Sequence, residues 1–267
     1  MTLPRGAVRV RAAVAAAREQ QRPALVAYLV AGYPDDAASL AAAEAALGAG
    51  ADMLELGIPF SDPVADGPVI AAAAQATVGA GGGLESAIRL ARSLRDRGHD
   101  QPLLAMGYLN PLLAAGRTAG PRRLAEAGVD AVIVPDLPAG EDPPFERAIG
   151  AAGLGACFLV APNTSDARVE RAIRASTAFL YVVPLYGVTG AREHVADAAA
   201  ELLERIRTTA RGRVAVAVGF GVSRPEHVRT LGRHADAVIV GSAIVTALDE
   251  AGAEGVGSLV ASLTRPG

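Results

Sequence analysis

The chain has 267 residues, 51% hydrophobic and 20% charged, with 28 acidic side chains against 25 basic ones and a single cysteine. All the basic residues are arginines, so Schiff-base aldolase, pyridoxal-phosphate and Walker-type phosphate chemistry, each built on a lysine amine, are excluded. The slight acidic excess and scattered arginines argue against a phosphate-tracking nucleic-acid surface, and one Cys157 excludes an internal disulfide framework or a cysteine zinc site.

At about 150 residues per domain, this length suits two small domains or one large barrel. Residues 1–22, rich in alanine and arginine, read as a leading helix, with a signal peptide as the alternative. Strands are predicted at Ala24–Val30, Asp52–Leu56, Pro102–Met106, Ala131–Val134, Gly155–Val160, Phe179–Val183, Val214–Val218 and Ala237–Val240. They are nearly continuous apolar runs, which suits strands buried on both faces of a parallel sheet. Helices are predicted between them at Ser39–Leu47, Leu84–Arg97, Arg122–Ala127, Phe145–Ala152, Ala167–Ala175, Ala196–Arg207 and Pro225–Leu231, with Gly98, Gly128 and Gly153 as stops. The uncharged stretch from Gly67 to Leu84 carries glycines, Gln75 and Thr77, which a membrane span disfavours, and the cytoplasm is the expected compartment.

Eight strand–helix alternations favour a single (β/α)8 TIM barrel over residues 23–248, with the extra N-terminal helix before it and a C-terminal helix over 249–267. A doubly wound open sheet is the alternative, but the residues after Val30, Ala31-Gly32-Tyr33-Pro34-Asp35, are not its glycine fingerprint.

In such a barrel, function sits at the C-terminal ends of the strands. Glu55 is a carboxylate inside an otherwise apolar strand, turned opposite to Leu54 and Leu56. A carboxylate in a barrel mouth is desolvated and can both give and take a proton near neutrality; the alternative is a buried structural glutamate with a partner. Asp66 follows in a Pro- and Gly-rich loop, either over the same mouth or as an ordinary turn residue, an ambiguity that Asp62 shares. Tyr181 lies within strand six, where it is either a core residue or a hydroxyl reaching Glu55 across the barrel by a hydrogen bond. Glycine turns follow the last three strands: Gly187-Val188-Thr189-Gly190, Gly219-Phe220-Gly221 and Gly241-Ser242-Ala243. Loops after strands seven and eight bind phosphate through backbone amides in many barrels, although glycine also serves there as a simple connector. The four histidines, His99, His194, His227 and His234, have no metal-ligand spacing, so no metal and no cofactor is expected.

The segment from Leu54 to Pro68, Leu-Glu-Leu-Gly-Ile-Pro-Phe-Ser-Asp-Pro-Val-Ala-Asp-Gly-Pro, resembles along its whole length the signature of the α subunit of tryptophan synthase. Further similarity lies in Tyr28 to Pro34, in Gly107 to Pro111, in Pro135 to Pro138, in Gly187 to Gly190, in Gly219 to Gly221 and in Gly241 to Val245, so that the resemblance runs from Tyr28 to Leu248. It implies a lyase that cleaves indole-3-glycerol phosphate to indole and glyceraldehyde 3-phosphate in tryptophan biosynthesis. By the same resemblance Glu55 is the general acid–base, Asp66 faces the indole nitrogen and Tyr181 stands beside them. Tyr28 and Tyr108 line the indole pocket, and Thr189, Gly190, Phe220, Gly221, Gly241 and Ser242 hold the substrate, chiefly its phosphate. The implied partner is the tryptophan synthase β subunit in an α2β2 assembly, with neither nucleic acid nor membrane. A stand-alone lyase releasing free indole and a catalytically silent, phosphate-binding regulator are the competing functions. One stretch departs from the family: Pro184-Leu185-Tyr186 occupies a position that is often small or polar, in the loop expected to close over substrate and signal to the β subunit.

Overall fold

The computed structural model describes residues 2–184, 192–219 and 221–264. The chain begins with α1 (Arg5–Glu19) and continues as β1 (Ala24–Val30), α2 (Asp36–Gly48), β2 (Met53–Gly57), α3 (Pro68–Gly79), α4 (Leu84–Asp96), β3 (Leu103–Met106), α5 (Leu109–Ala114), α6 (Ala119–Glu126) and β4 (Ala131–Ile133). The second half holds α7 (Pro143–Ala151), β5 (Gly155–Cys157), β6 (Leu159–Val160), α8 (Asp166–Ala175), β7 (Phe179–Val182), α9 (Arg192–Ala210), β8 (Ala215–Gly219), α10 (Pro225–Gly232), β9 (Ala237–Val240) and α11 (Ser242–Thr264).

Every strand pairing is parallel, in the order β5-β4-β3-β2-β1-β9-β8-β7-β6. The strand expected over Gly155–Val160 is interrupted at Phe158, so that β5 bonds to β4 and β6 bonds to β7. Amides of β7 and the residue before it close the ring: Ala178 N–H donates to the Ala156 carbonyl at 3.2 Å and Tyr181 N–H to that of Phe158 at 2.9 Å. β5 and β6 therefore form one stave, and the sheet is a (β/α)8 barrel rather than an open sheet.

The continuous apolar strands follow from a core on both sides of the sheet. Val26, Met53, Leu104, Ile133, Cys157, Phe179, Ala217 and Ile239 pack inside the barrel. Their neighbours Leu25, Leu54, Leu103, Val132, Phe158, Leu180, Val216 and Val238 pack outward under the helices. α1 adds Val10, Val14 and Ala17 to the inner cluster and so plugs the N-terminal end.

The same end is tied by polar residues that stand just before strands. Asp52, Asp130, Thr177 and Asp236 accept hydrogen bonds from the backbone N–H groups of Leu25, Leu103, Ala156 and Val216, each near the start of the preceding stave, at 2.7 to 3.0 Å. Arg22 adds two bonds to Asp52, at 2.6 and 2.8 Å. Asp130 also receives Arg9 Nε at 2.7 Å and Arg95 Nη2 at 2.8 Å, which joins α1, α4 and β4. Gly6 passes so close to the Asp130 carbonyl that any Cβ there would overlap it.

Two helices, α3 and α5, were not legible in the sequence. α3 is an alanine run without a polar stripe, and α5 spans little more than a turn. α2 starts at Asp36 rather than Ser39 because Asp35 caps it, accepting from Ala38 N–H at 2.8 Å. The helix opened at Gly241 runs to Thr264 with a break at Ala251–Gly252, just beyond the boundary expected at 249. Gly98, Gly128 and Gly153 end their helices with φ of 84°, 91° and 81°, a left-handed conformation that favours glycine.

Asp130→Ala orphans the Leu103 amide and leaves two arginines without their shared carboxylate at a mostly buried position. A loss of about 3 kcal/mol is expected, and urea denaturation at pH 7 measures it; a loss below about 1 kcal/mol would place the plug's stability elsewhere.

Candidate active site

β2 places Met53, Glu55 and Gly57 on its inner face by simple alternation. Glu55 lies level with Tyr28 of β1 on one side and Leu104 of β3 on the other. Its side chain is 0% exposed, and neither carboxyl oxygen has a hydrogen-bond partner among the described residues. Loss of hydration raises its pKa to about 8, with a further push from the charge of Asp66. Glu55 therefore holds its proton at neutrality.

Asp66 sits in the loop between β2 and α3, partly buried above the barrel. The Tyr108 hydroxyl fixes it there, donating to Asp66 Oδ2 at 3.1 Å while accepting from Ala65 N–H at 2.9 Å. The Tyr108 ring packs on Phe60 with centroids 5.1 Å apart, and Asp136 accepts from Leu109 N–H at 2.9 Å. The loops after β2 and β3 are thus joined around one phenol, and the Asp136 bond ties the loop after β4 to them. Burial lifts the Asp66 pKa to about 6 against the opposing hydrogen bond from Tyr108, so Asp66 is mostly ionised at pH 7. Asp62 is exposed in the same loop, away from this network.

Tyr181 is 9% exposed and sits inside the barrel with its hydroxyl over Gly219, where a Cβ would overlap it. The expected hydrogen bond to Glu55 is absent, since the Glu55 oxygens are unpartnered among the described residues. The reason is that Tyr181 is directed along its own strand toward Gly219, on the adjacent β8, rather than across the lumen. It remains near enough for the Glu55 charge to raise its pKa, after the larger effect of burial. Cys157, also inside the barrel, is a thiol that burial holds protonated.

Gly221 adopts φ 65°, and Gly241, two strands round the barrel from Glu55, leads into the N-terminus of α11 at Ser242. The first amides of that helix have no carbonyl within it to bond, and its dipole favours an anion there. β9 pairs with β1, so this helix end adjoins Tyr28 directly. Thr189, Gly190 and Phe220, and with them Leu185 and Tyr186, lie outside the described residues. Among the described residues, no cluster of His, Cys, Asp or Glu could hold a metal ion. Sequence reasoning did not single out Gly57, Phe60 or Asp136 as individual contributors. The closeness of Gly57 to an aromatic on the next strand leaves no local signal, whereas the Phe60 and Asp136 roles lie within segments already quoted as family-like.

A family model described as "Tryptophan synthase alpha chain" matches residues 14–263. The chain is similar to the tryptophan synthase alpha chain of Roseiflexus sp. (strain RS-1), 42% identical over 234 residues that cover 88% of this chain and 89% of that one. It is similar also to that of Phenylobacterium zucineum, 41% identical over 243 residues, covering 91% and 87%. Among solved structures, Mycobacterium tuberculosis tryptophan synthase superposes with a TM-score of 0.88 at 37% identity, covering 96% of each chain. The tryptophan synthase subunit alpha of Legionella pneumophila superposes at 0.84 and 28% identity, again covering 96% of each.

The buried carboxyl has a cost that depends on pH. Folding raises the Glu55 pKa from 4.5 to about 8, so the group loses stability as pH rises through that window and none below it. That difference amounts to roughly 5 kcal/mol. Glu55→Gln removes the titration, so the variant is expected to lie within about 1 kcal/mol of the wild type at pH 5 and to exceed it by several kcal/mol at pH 8. Denaturant melts across pH 5–9 test this, and parallel wild-type and variant curves would show that Glu55 is not held protonated.

Proposed function

The chain belongs to the tryptophan synthase alpha chain family, the indole-3-glycerol-phosphate lyase of tryptophan biosynthesis, and we propose that Glu55 is the acid–base group of that cleavage. The observation that carries this reading is a fully buried, unpartnered carboxyl that keeps its proton beside a carboxylate that has lost one. Two carboxyl groups whose environments separate their pKa values can divide acid and base duties.

Glu55 protonates C3 of the indole ring, turning it into an indolenine. Asp66, ionised at neutrality, stabilises the positive charge that arises on the ring nitrogen. The Glu55 carboxylate then removes the proton from the C3′ hydroxyl of the glycerol chain. That oxygen's electron pair forms the aldehyde, the carbon–carbon bond breaks, and its electrons return to the ring as indole leaves. The indolenine is the electron sink, so no amine is required.

Tyr28 and Tyr108 line the indole, Tyr108 being already locked by Asp66 and Phe60. Gly221, Gly241 and Ser242 hold the phosphate with backbone amides and the N-terminus of α11. By the resemblance, Thr189, Gly190 and Phe220 complete that cradle, and Tyr181 completes the catalytic group. The partner is the tryptophan synthase β subunit in an α2β2 assembly, a reading supported by similarity to solved tryptophan synthase. The site of action is the cytoplasm; among the described residues no helix is long and apolar enough to cross a membrane.

Glu55→Gln is expected to lower indole release roughly a thousandfold with substrate binding retained, because only proton transfer is lost. Near-normal turnover would end the mechanism. In the wild type, kcat/KM should fall below about pH 6 as Asp66 is protonated and above about pH 8 as Glu55 ionises, the two limbs belonging to the coupled pair. Indole release assayed with and without a β subunit separates the partnered enzyme, which the partner activates strongly, from a stand-alone lyase, which is fast by itself.

A further inference from the structure

Tyr28 and Tyr181 are built by the same device. Tyr28 lies level with Glu55 on β2 and its hydroxyl reaches Gly57, two residues further along that strand. Tyr181 lies level with Ala217 on β8 and reaches Gly219, again two residues further along. Each phenol leans toward the catalytic end of the barrel and rests where the neighbouring strand has no side chain. Only for Tyr28 is the level partner the acid–base residue itself.

The placement of Tyr28 is tightly constrained. A Cβ on Gly57 would overlap its hydroxyl, and one on Gly241, across β9, would lie 3.5 Å from its Cδ1. The ring is 5% exposed, and its hydroxyl bonds to none of the described residues. Glu55 stands two residues before Gly57 on the same face of β2, so the phenol oxygen lies on the face of the strand from which the Glu55 side chain rises. Facing Glu55 from the other elements are Tyr181 of β7, Cys157 of β5 and Asp66 of the β2–α3 loop, with no cation among the described residues.

We propose that Tyr28 is a positioning residue for Glu55, whose hydroxyl donates a hydrogen bond to the Glu55 carboxylate during the part of the reaction in which that carboxylate is charged. The inference rests on the assignment of Glu55 as the acid–base group. Before the reaction Glu55 is neutral and has little need of a donor. Once its proton has moved to C3 it is an anion in an apolar barrel, a state that is strongly disfavoured unless a donor meets it. No proton leaves Tyr28, since burial and the nearby carboxylates hold its pKa well above the ordinary phenol range. Glu55 regains its proton from the C3′ hydroxyl, and the hydrogen bond relaxes.

Tyr28→Phe removes the hydroxyl and keeps the ring that lines the indole pocket. The expected result is a kcat about tenfold lower with KM within twofold, and an upper limb of the kcat/KM profile moved at least half a pH unit higher, because the anion has lost a donor. A variant with unchanged kcat and an unmoved limb, or with KM alone raised, would overturn the proposal and leave Tyr28 as a pocket wall. Glu55→Gln, assayed alongside, keeps the two readings apart. If Glu55→Gln is inactive and Tyr28→Phe is silent, only this inference fails; if Glu55→Gln is active, the acid–base assignment fails and this inference with it.

Discussion

The central constraint is an uncompensated carboxyl inside an aliphatic barrel. Glu55 is fully buried with no hydrogen-bond partner among the described residues, and such a group is tolerated only as the neutral acid. The rest of the fold makes that isolation possible. α1 seals the N-terminal end with Val10, Val14 and Ala17, and Met53 and Leu104 fill the space below and beside the carboxyl. The plug matters to the chemistry because water entering from below would rehydrate Glu55 and return its pKa toward 4.5. Stability is given up at the acid and recovered at the opposite end, where Asp52, Asp130 and Asp236 are bonded by amides or arginines.

The two ends of the barrel therefore use the same residue type in opposite ways. At the N-terminal end the aspartates are ionic anchors, surrounded by donors. At the C-terminal end Asp66 has one phenolic donor and a pKa raised to about 6. Its negative charge adds to burial in keeping Glu55 protonated, and in the proposed mechanism the arriving indole nitrogen supplies the counter-charge that the protein withholds. The electrostatics are left incomplete until substrate completes them, an arrangement expected of a site complementary to a charged intermediate.

Much of this was legible before the structure. The apolar runs located every strand to within a residue or two, since burial on both faces leaves no other pattern, and Glu55 stood out as the one acid in a strand interior. The interruption at Phe158 was not legible, because Cys157, Phe158 and Leu159 keep the in–out alternation while the hydrogen-bonding partner changes from β4 to β7. Nor could the sequence show that Tyr181 leans over Gly219 instead of bonding Glu55. That outcome depends on which strand presents a glycine two steps beyond the register, a relation between residues far apart in the chain. The strand-entry aspartates do leave a trace, as Ala51-Asp52, Val129-Asp130 and Ala235-Asp236 each precede an apolar run, but only the hydrogen bonds reveal that they hold the preceding stave.

The absence of lysine acquires a physical sense at this site. A flexible ammonium able to reach the mouth would pair with Asp66 or Glu55, lower both pKa values and empty the acid of its proton at neutrality. The arginines with firm partners at the barrel, Arg9, Arg22 and Arg95, are held at the N-terminal end, and no cation contributes to the Glu55 environment among the described residues. Phosphate is the one negative group that must still be bound. Backbone amides at Gly221, Gly241 and Ser242 can do that with partial charges fixed in direction at the helix end. A mobile cation would serve the phosphate equally well but would compromise the acid. Fixed dipoles satisfy one end of the substrate without disturbing the protonation state that the other end requires.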